Sequence, residues 1–188
     1  MKIEIWSDVV CPWCYIGKRR LEVALKEFEH RNEVVIEWKS YQLDPEMETD
    51  TNLSIYEYLA ERKGVPYDQA ESMGDNVSAV AHEMGLNYNL DKTIPVNTLQ
   101  AHEVLHFAKI HNLQSETKER LLEAYFVEGK NLDDRPTLIK LAQEVGLNTK
   151  KLVNDLVNNA YASSVQADIK LGKEFGLRGV PFFVFNRK

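Results

Sequence analysis

In KIEIW, residues 2–6, isoleucine and tryptophan alternate with charged positions, the two-residue period of a short, half-buried strand. The period then lengthens. Past a stretch that holds both cysteines, Ile16, Leu21, Leu25 and Phe28 recur at helical spacing, and VVIEWKSYQL at 34–43 returns to β-branched and aromatic content. Strand, helix and strand in that order predict two parallel strands joined by a right-handed crossover.

From Asp44 the pattern is helical only. Ser54 with Glu57 forms a capping box ahead of YLAERKG, Pro136 sits near the start of TLIKLAQEVG, and Gly85, Gly129 and Gly146 stand where helices stop. The last helix is expected from about Tyr161 to Phe175, ending at Gly176. A turn in LRG then leads to VPFFVF at 180–185, which reads as a strand. No repeat or low-complexity segment interrupts this order.

Composition narrows the partners. With 44% hydrophobic and 28% charged residues over 188 positions, the chain has the make-up of an ordinary globular protein that can bury a core without staples. No apolar run approaches a membrane span. The opening MKIEIWSDVV lacks the basic, apolar and small-residue order of an export signal, so a cytoplasmic home is expected unless a leader has been removed. A net charge of −6 without a basic cluster argues against nucleic acid. A protein, peptide or small molecule is the expected partner.

Both cysteines lie in VCPWCY. A bridge closing so short a loop constrains little, and a reducing compartment would not keep it, so the pair is read as chemical rather than structural. It follows a strand and opens a helix, where unsatisfied N–H groups and the dipole favour an anion. Cys11, at the very start, is therefore expected to be the more acidic thiol and the nucleophile. Cys14, one turn in and more covered, is the resolving thiol that attacks a mixed disulfide on Cys11. Pro12 suits the first helical turn, where its missing N–H costs nothing. Trp13 offers a flat apolar surface to a peptide or a glutathione moiety. A zinc site would need two further ligands from distant residues, and the strand-pair-helix context favours redox chemistry.

SDVVCPWCYIGKRRLE resembles the opening of the DsbA-like thioredoxin-fold proteins, most closely their cytoplasmic FrnE-like branch, and the likeness runs along nearly the whole chain. Asn97, Thr98, Ala101 and His102 in NTLQAHEVLHFA are similar to that branch's signature in its helical insertion. So are Phe126, Gly129, Leu132 and Asp133 in YFVEGKNLDD, while GLRGVPFFVF is similar to the closing motif, whose proline is cis. The resemblance implies an α/β protein: a thioredoxin fold interrupted by a large all-α insertion domain. Residues 1–44 and 160–188 would form the discontinuous thioredoxin-fold domain and 45–159 the insertion, capping the dithiol. It implies thiol-disulfide oxidoreductase activity, with Val180-Pro181 packed against Cys11 and Cys14 and the Val180 backbone free to pair with an extended substrate. No bound cofactor is expected, glutathione is a candidate co-substrate, and a homodimer is allowed.

Residues 102–106, HEVLH, also fit the zinc-binding helix of metallopeptidases. The extended form of that motif fails, because Lys109 stands where glycine should be and Asn112 where histidine should be; His111 misses by one position. Glu123 and Glu128 are the remaining third ligands from the next helix, but no metal is expected, and His102 and His106 are read as packed and hydrogen-bonded between helices. His30, His82 and His111 fall near helix C-termini, where a partly cationic side chain suits the dipole. Tyr56, Tyr58, Phe107, Tyr125 and Phe126 are read as core, with a groove above the cysteines as the alternative.

The same clan includes kappa-class glutathione transferases and 2-hydroxychromene-2-carboxylate isomerases, which typically carry serine at the first cysteine position. Two cysteines favour exchange chemistry over that glutathione-dependent alternative, and a redox-sensing binding protein is the third reading. In the family, PFFVF is followed by a hairpin partner strand and a closing helix, so a continuation beyond Lys188 is expected.

Overall fold

The computed structural model describes residues 1–187. Its elements in chain order are β1 (Lys2–Ser7), α1 (Pro12–Glu27), β2 (Val35–Ser40), α2 (Ile55–Lys63), α3 (Tyr67–Glu83) and α4 (Leu99–Ile110). They continue with α5 (Gln114–Phe126), α6 (Arg135–Glu144), α7 (Thr149–Val157), α8 (Ala162–Glu174) and β3 (Phe182–Phe185). Among the described residues the sheet has the order β2-β1-β3. β1 runs parallel to β2, from Lys2 opposite Val35 to Ser7 opposite Ser40, and antiparallel to β3, with Ile3 opposite Phe185 and Trp6 opposite Phe182. The expected continuation past Lys188 lies outside the described residues.

Alternation along β1 sorts its two faces. Ile3 and Ile5 pack with Trp38 and with Leu21 of α1, while Trp6 packs with Leu177, Val184 and the end of α8. The outer edge of β2 is not left bare. Gln114, at the start of α5, accepts the Trp38 N–H at 3.1 Å and donates to the Trp38 carbonyl at 3.0 Å, satisfying backbone groups that a neighbouring strand would take.

Between β2 and α8 the chain is helical, built around α4, whose residues Ala101 to Ala108 are all buried. The capping box forms, with the Glu57 N–H donating to Ser54 Oγ at 3.1 Å and the Ser54 N–H to Glu57 Oε2 at 2.9 Å. Asp134 and Asn148 cap α6 and α7 by one-way bonds, accepting the Thr137 and Lys151 N–H. Gly129 is required where it stands: its φ is +67°, and a Cβ there would lie 2.7 Å from the Lys92 carbonyl oxygen.

His102 and His106 are both buried, but their partners are not only helical. His102 Nε2 bonds Asp8, in the turn after β1, at 3.1 Å; His106 Nε2 lies 3.2 Å from Ser40 Oγ of β2 and 3.3 Å from Asp168 Oδ2 of α8. The Glu103 carboxylate instead accepts the Tyr161 N–H at 3.0 Å. The HEVLH stretch is thus a seam joining α4 to the sheet and α8. Among the described residues no group of three His, Cys, Asp or Glu is placed to hold a metal ion.

Candidate active site

β1 ends at Ser7 and α1 begins at Pro12, leaving a four-residue turn whose last member, Cys11, is the helix N-cap with extended backbone. Asp8 fixes that turn. Its carboxylate accepts the Val9 N–H and the Leu43 N–H, each at 2.7 Å, besides the His102 ring at 3.1 Å. Burial opposes its ionisation, yet the histidine, the backbone donor and the Lys118 cation hold its pKa below the usual carboxylate range. Burial pushes the His102 pKa down, so the ring is neutral and donates from Nε2.

The two cysteines are reduced and in hydrogen-bond contact. They differ in access: Cys11 is 4% exposed and faces a cavity, whereas Cys14 is 1% exposed and lies behind it. Cys11 Sγ sits 3.6 Å from the Val180 carbonyl, and the Val180-Pro181 peptide is cis. Gly17 makes that approach possible, since Pro181 Cγ lies 3.0 Å from where a Cβ on Gly17 would be. Trp13, half exposed, stands at the cavity mouth, and Pro12 is held from behind by the Tyr88 hydroxyl, which donates to its carbonyl at 2.8 Å.

The surroundings act on the two thiols in opposite directions. Hydrogen bonding to Cys14, burial and the Asp8 carboxylate push the Cys11 pKa well above that of a free thiol. Burial also opposes Cys14, but the Cys11 thiol, the Lys118 cation, Ser7 and the Asp8 backbone outweigh it and bring its pKa down. The helix terminus contributes one backbone bond, from Cys14, to Cys11, which opposes that rise without outweighing the Cys14 side chain and burial. Cys11 is the thiol that faces the cavity, and Cys14 is the one beside which the Lys118 cation favours a thiolate.

Lys118, on α5, is the cation behind this arrangement. It is fully buried near the Trp38 ring, with its pKa drawn down to about 8 by burial against the opposing pull of Cys14, Asp8 and Cys11. Neither Asp8 nor Lys118 is singled out by sequence pattern. Asp8 is signalled only by standing next to the cysteine motif, and Lys118 sits in a helix whose charges alternate like those of any solvated face.

The cavity in front of Cys11 has a volume of about 720 Å³ and is bounded by the cysteine turn, α2, α3 and Gly179-Val180. Tyr58, Tyr125 and Phe126 line it, so three of the five aromatics first read as core form its wall, while Tyr56 and Phe107 are buried away from it. A stack of Tyr15, Tyr88 and Phe126 joins α1 to α5, with Tyr88 and Phe126 centroids 4.6 Å apart.

Over residues 2–188 the chain matches the family described as DSBA-like thioredoxin domain. It is 28% identical over 193 residues to the uncharacterized protein YwbO of Bacillus subtilis (strain 168), with 97% of this chain and 85% of that protein covered. The crystal structure of probable DsbA oxidoreductase SCO1869 from Streptomyces coelicolor is 33% identical with a TM-score of 0.91, covering 100% of this chain and 81% of that one. Cytosolic disulfide reductase DsbM from Pseudomonas aeruginosa, solved with GSH, is 18% identical with a TM-score of 0.68, covering 100% and 87%. That last likeness is one of fold.

Proposed function

This chain belongs to the DSBA-like thioredoxin domain family, and we propose that it is a thiol-disulfide oxidoreductase whose working groups are Cys11 and Cys14. One observation carries the reading: a thiol at a helix N-terminus faces a cavity and touches a second thiol that is sealed behind it. In the reducing direction, Cys14 takes the Cys11 proton as Cys11 attacks one sulfur of a substrate disulfide; an S–S bond forms to Cys11 and the other substrate half leaves as a thiolate. Cys14 then loses its proton and attacks Cys11. The enzyme leaves as an internal disulfide, the substrate as two thiols, and a second dithiol or two glutathione-type thiols restore the starting state. The same steps run backwards oxidise a dithiol.

Trp13 and the Val180-Pro181 loop are the proposed substrate supports, Pro12 the residue that starts the helix beneath them. In this reading an extended peptide runs beside the Val180 backbone, the strand-addition mode of recognition. The substrate is a protein, peptide or small-molecule thiol or disulfide, with glutathione as co-substrate and the cytoplasm as the place of action. A glutathione-dependent isomerase or transferase is the weaker reading because such proteins resemble this chain but typically lack the first cysteine.

The test is equilibration of the reduced protein with mixtures of reduced and oxidised glutathione, followed by acid quenching and mass measurement. A two-hydrogen loss confined to the peptide holding Cys11 and Cys14, at a defined glutathione ratio, supports the proposal. A pair that stays reduced at every ratio overturns it.

A further inference from the structure

The ammonium of Lys118 is buried with nothing to pair with. The residue is 1% exposed, yet among the described residues its side chain takes part in no ion pair and no hydrogen bond, and its Nζ lies 5.8 Å from the centre of the Trp38 ring. Other buried lysines are met: Lys18, on α1, is held by Glu22 and Glu119, and Lys39, on β2, by Glu37 and Asp168. A buried charge without a partner is destabilising, and a methionine would fill the same space under Trp38 without it. Folding alone explains this lysine poorly.

The groups that face Lys118 come from four elements. α1 contributes Cys14 and Lys18, the turn after β1 contributes Asp8 and Cys11, α4 the neutral His102 ring, and β2 the Trp38 ring. Asp8 is already engaged by the Val9 and Leu43 N–H groups and by His102. The sulfurs remain, and of the attractions that Lys118 feels Cys14 is the largest.

In the resting protein the Cys11 thiol can donate to Cys14. A mixed disulfide on Cys11 removes that proton, just when Cys14 has to become a nucleophile. What favours its thiolate is then Lys118, ahead of Ser7 and the Asp8 backbone.

We propose that Lys118 is a positioning residue for the second half of the exchange, its ammonium holding Cys14 as a thiolate while Cys11 is bonded to substrate and so speeding the attack of Cys14 on Cys11. The proposal rests on the oxidoreductase reading. In the step it assists, Cys14 gives up its proton and a Cys14–Cys11 bond forms as the bond from Cys11 to substrate breaks. The electron pair leaves on the substrate sulfur, which takes up a proton and ends as a thiol. Lys118 is neither oxidised nor reduced.

The experiment mixes the whole reduced protein with oxidised glutathione, quenches in acid at set times, and separates by mass the reduced chain, the glutathione adduct and the internal disulfide. Lys118→Met and Lys118→Gln, two neutral side chains of different polarity, should each slow conversion of adduct to internal disulfide by about tenfold at pH 7, and slow adduct formation by less. Toward about pH 10 that deficit should shrink, because Cys14 then ionises in every variant and Lys118 of the parent, with its pKa drawn down to about 8, loses its own charge. A side chain that only fills space would slow both steps alike or neither, whatever the pH. Resolution at the parent's rate in either variant, equal slowing of both steps, or a deficit of constant size across pH would each overturn the proposal. A parent that forms neither adduct nor internal disulfide sinks the oxidoreductase reading and this proposal with it, whereas a parent that completes the exchange no faster than its variants sinks this proposal alone.

Discussion

Cys11 Sγ lies 3.6 Å from the carbonyl oxygen of Val180, a residue 169 positions later in the chain. A carbonyl has no proton to give, so this contact favours Cys11 as a thiol and disfavours its thiolate. Its single proton has two acceptors in reach, that oxygen and the Cys14 sulfur. Acidity and access are therefore divided between the two cysteines, and a substrate that displaces the Val180 contact also frees the thiol that attacks it.

The first prediction concerns thiolate absorbance at 240 nm. The reduced protein should show two steps belonging to the pair, one below and one above the free-thiol value of about 8.5. Replacing Cys14 by serine removes the sulfur that shares the Cys11 proton, and should leave one step below the upper step of the parent. A parent protein with both thiols titrating together near the free value would contradict the shared-proton arrangement.

Lys118 supplies the second. Its pKa falls from 10.5 to about 8 on burial, so between those values the unfolded chain binds a proton that the folded chain does not, and stability rises with pH across that window. Below pH 8 both states are protonated and the full cost of burying the charge is present, about 3 kcal/mol at roughly 1.4 kcal/mol per unit. Lys118→Met should therefore be more stable than the parent in urea at pH 7, with the gain shrinking toward pH 10.5. The same variant should raise the first thiol step at 240 nm, because the Cys14 thiolate loses its cation. Unchanged thiol titration in Lys118→Met would remove Lys118 from the site.

Asp8→Asn tests the turn beneath the cysteines. An amide in place of the carboxylate cannot accept from Val9, Leu43 and His102 at once, and one buried donor is left facing another. The expected loss is about 2–4 kcal/mol in urea unfolding at pH 7. Since the folded pKa of Asp8 lies below its unfolded value, this stability is fully present above about pH 4 and disappears as pH falls through the folded value. The gap between parent and variant should accordingly narrow in acid. A gap independent of pH would mean that Asp8 acts through shape alone.

The order of strands and helices could be read from periodicity because each change of period marks an element whose apolar face needs a partner: Ile3 and Ile5 toward α1, Trp6 toward α8. The cysteine pair was legible too, since its spacing between a strand and a helix leaves few other uses. What stayed hidden was long-range. Lys118 is 104 residues from Cys14, and nothing in QSETKERLLEAYF distinguishes a lysine that turns inward from its solvated neighbours. The charges of Asp8 and Lys118 that bear on the two thiols are hidden for the same reason, because the helix dipole is local and visible whereas their positions are set by tertiary packing.

Gly172, in the last turn of α8, gives the last prediction, and two opposing effects must be weighed. Alanine raises helix propensity by about 1 kcal/mol over glycine. Here, however, a Cβ would lie 2.7 Å from Trp6 Nε1 and 2.9 Å from its Cδ1, with Leu177 Cδ1 at 3.0 Å. Trp6 cannot retreat, being fully buried between Phe175 and Phe182 and donating from Nε1 to the Asp168 carbonyl at 2.6 Å. Either the indole moves and that bond stretches, or α8 lifts from the sheet and carries Asp168 away from His106 and from Lys39, now 3.3 and 3.1 Å distant. Overpacking of this kind costs about 1–3 kcal/mol and a strained or lost hydrogen bond about 1 kcal/mol more, so the clash exceeds the propensity gain. Gly172→Ala should unfold at lower urea concentration than the parent, with a shifted Trp6 emission in the folded state. An alanine variant as stable as the parent, with unchanged emission, would show that α8 and the sheet have slack that the packing around Trp6 does not allow.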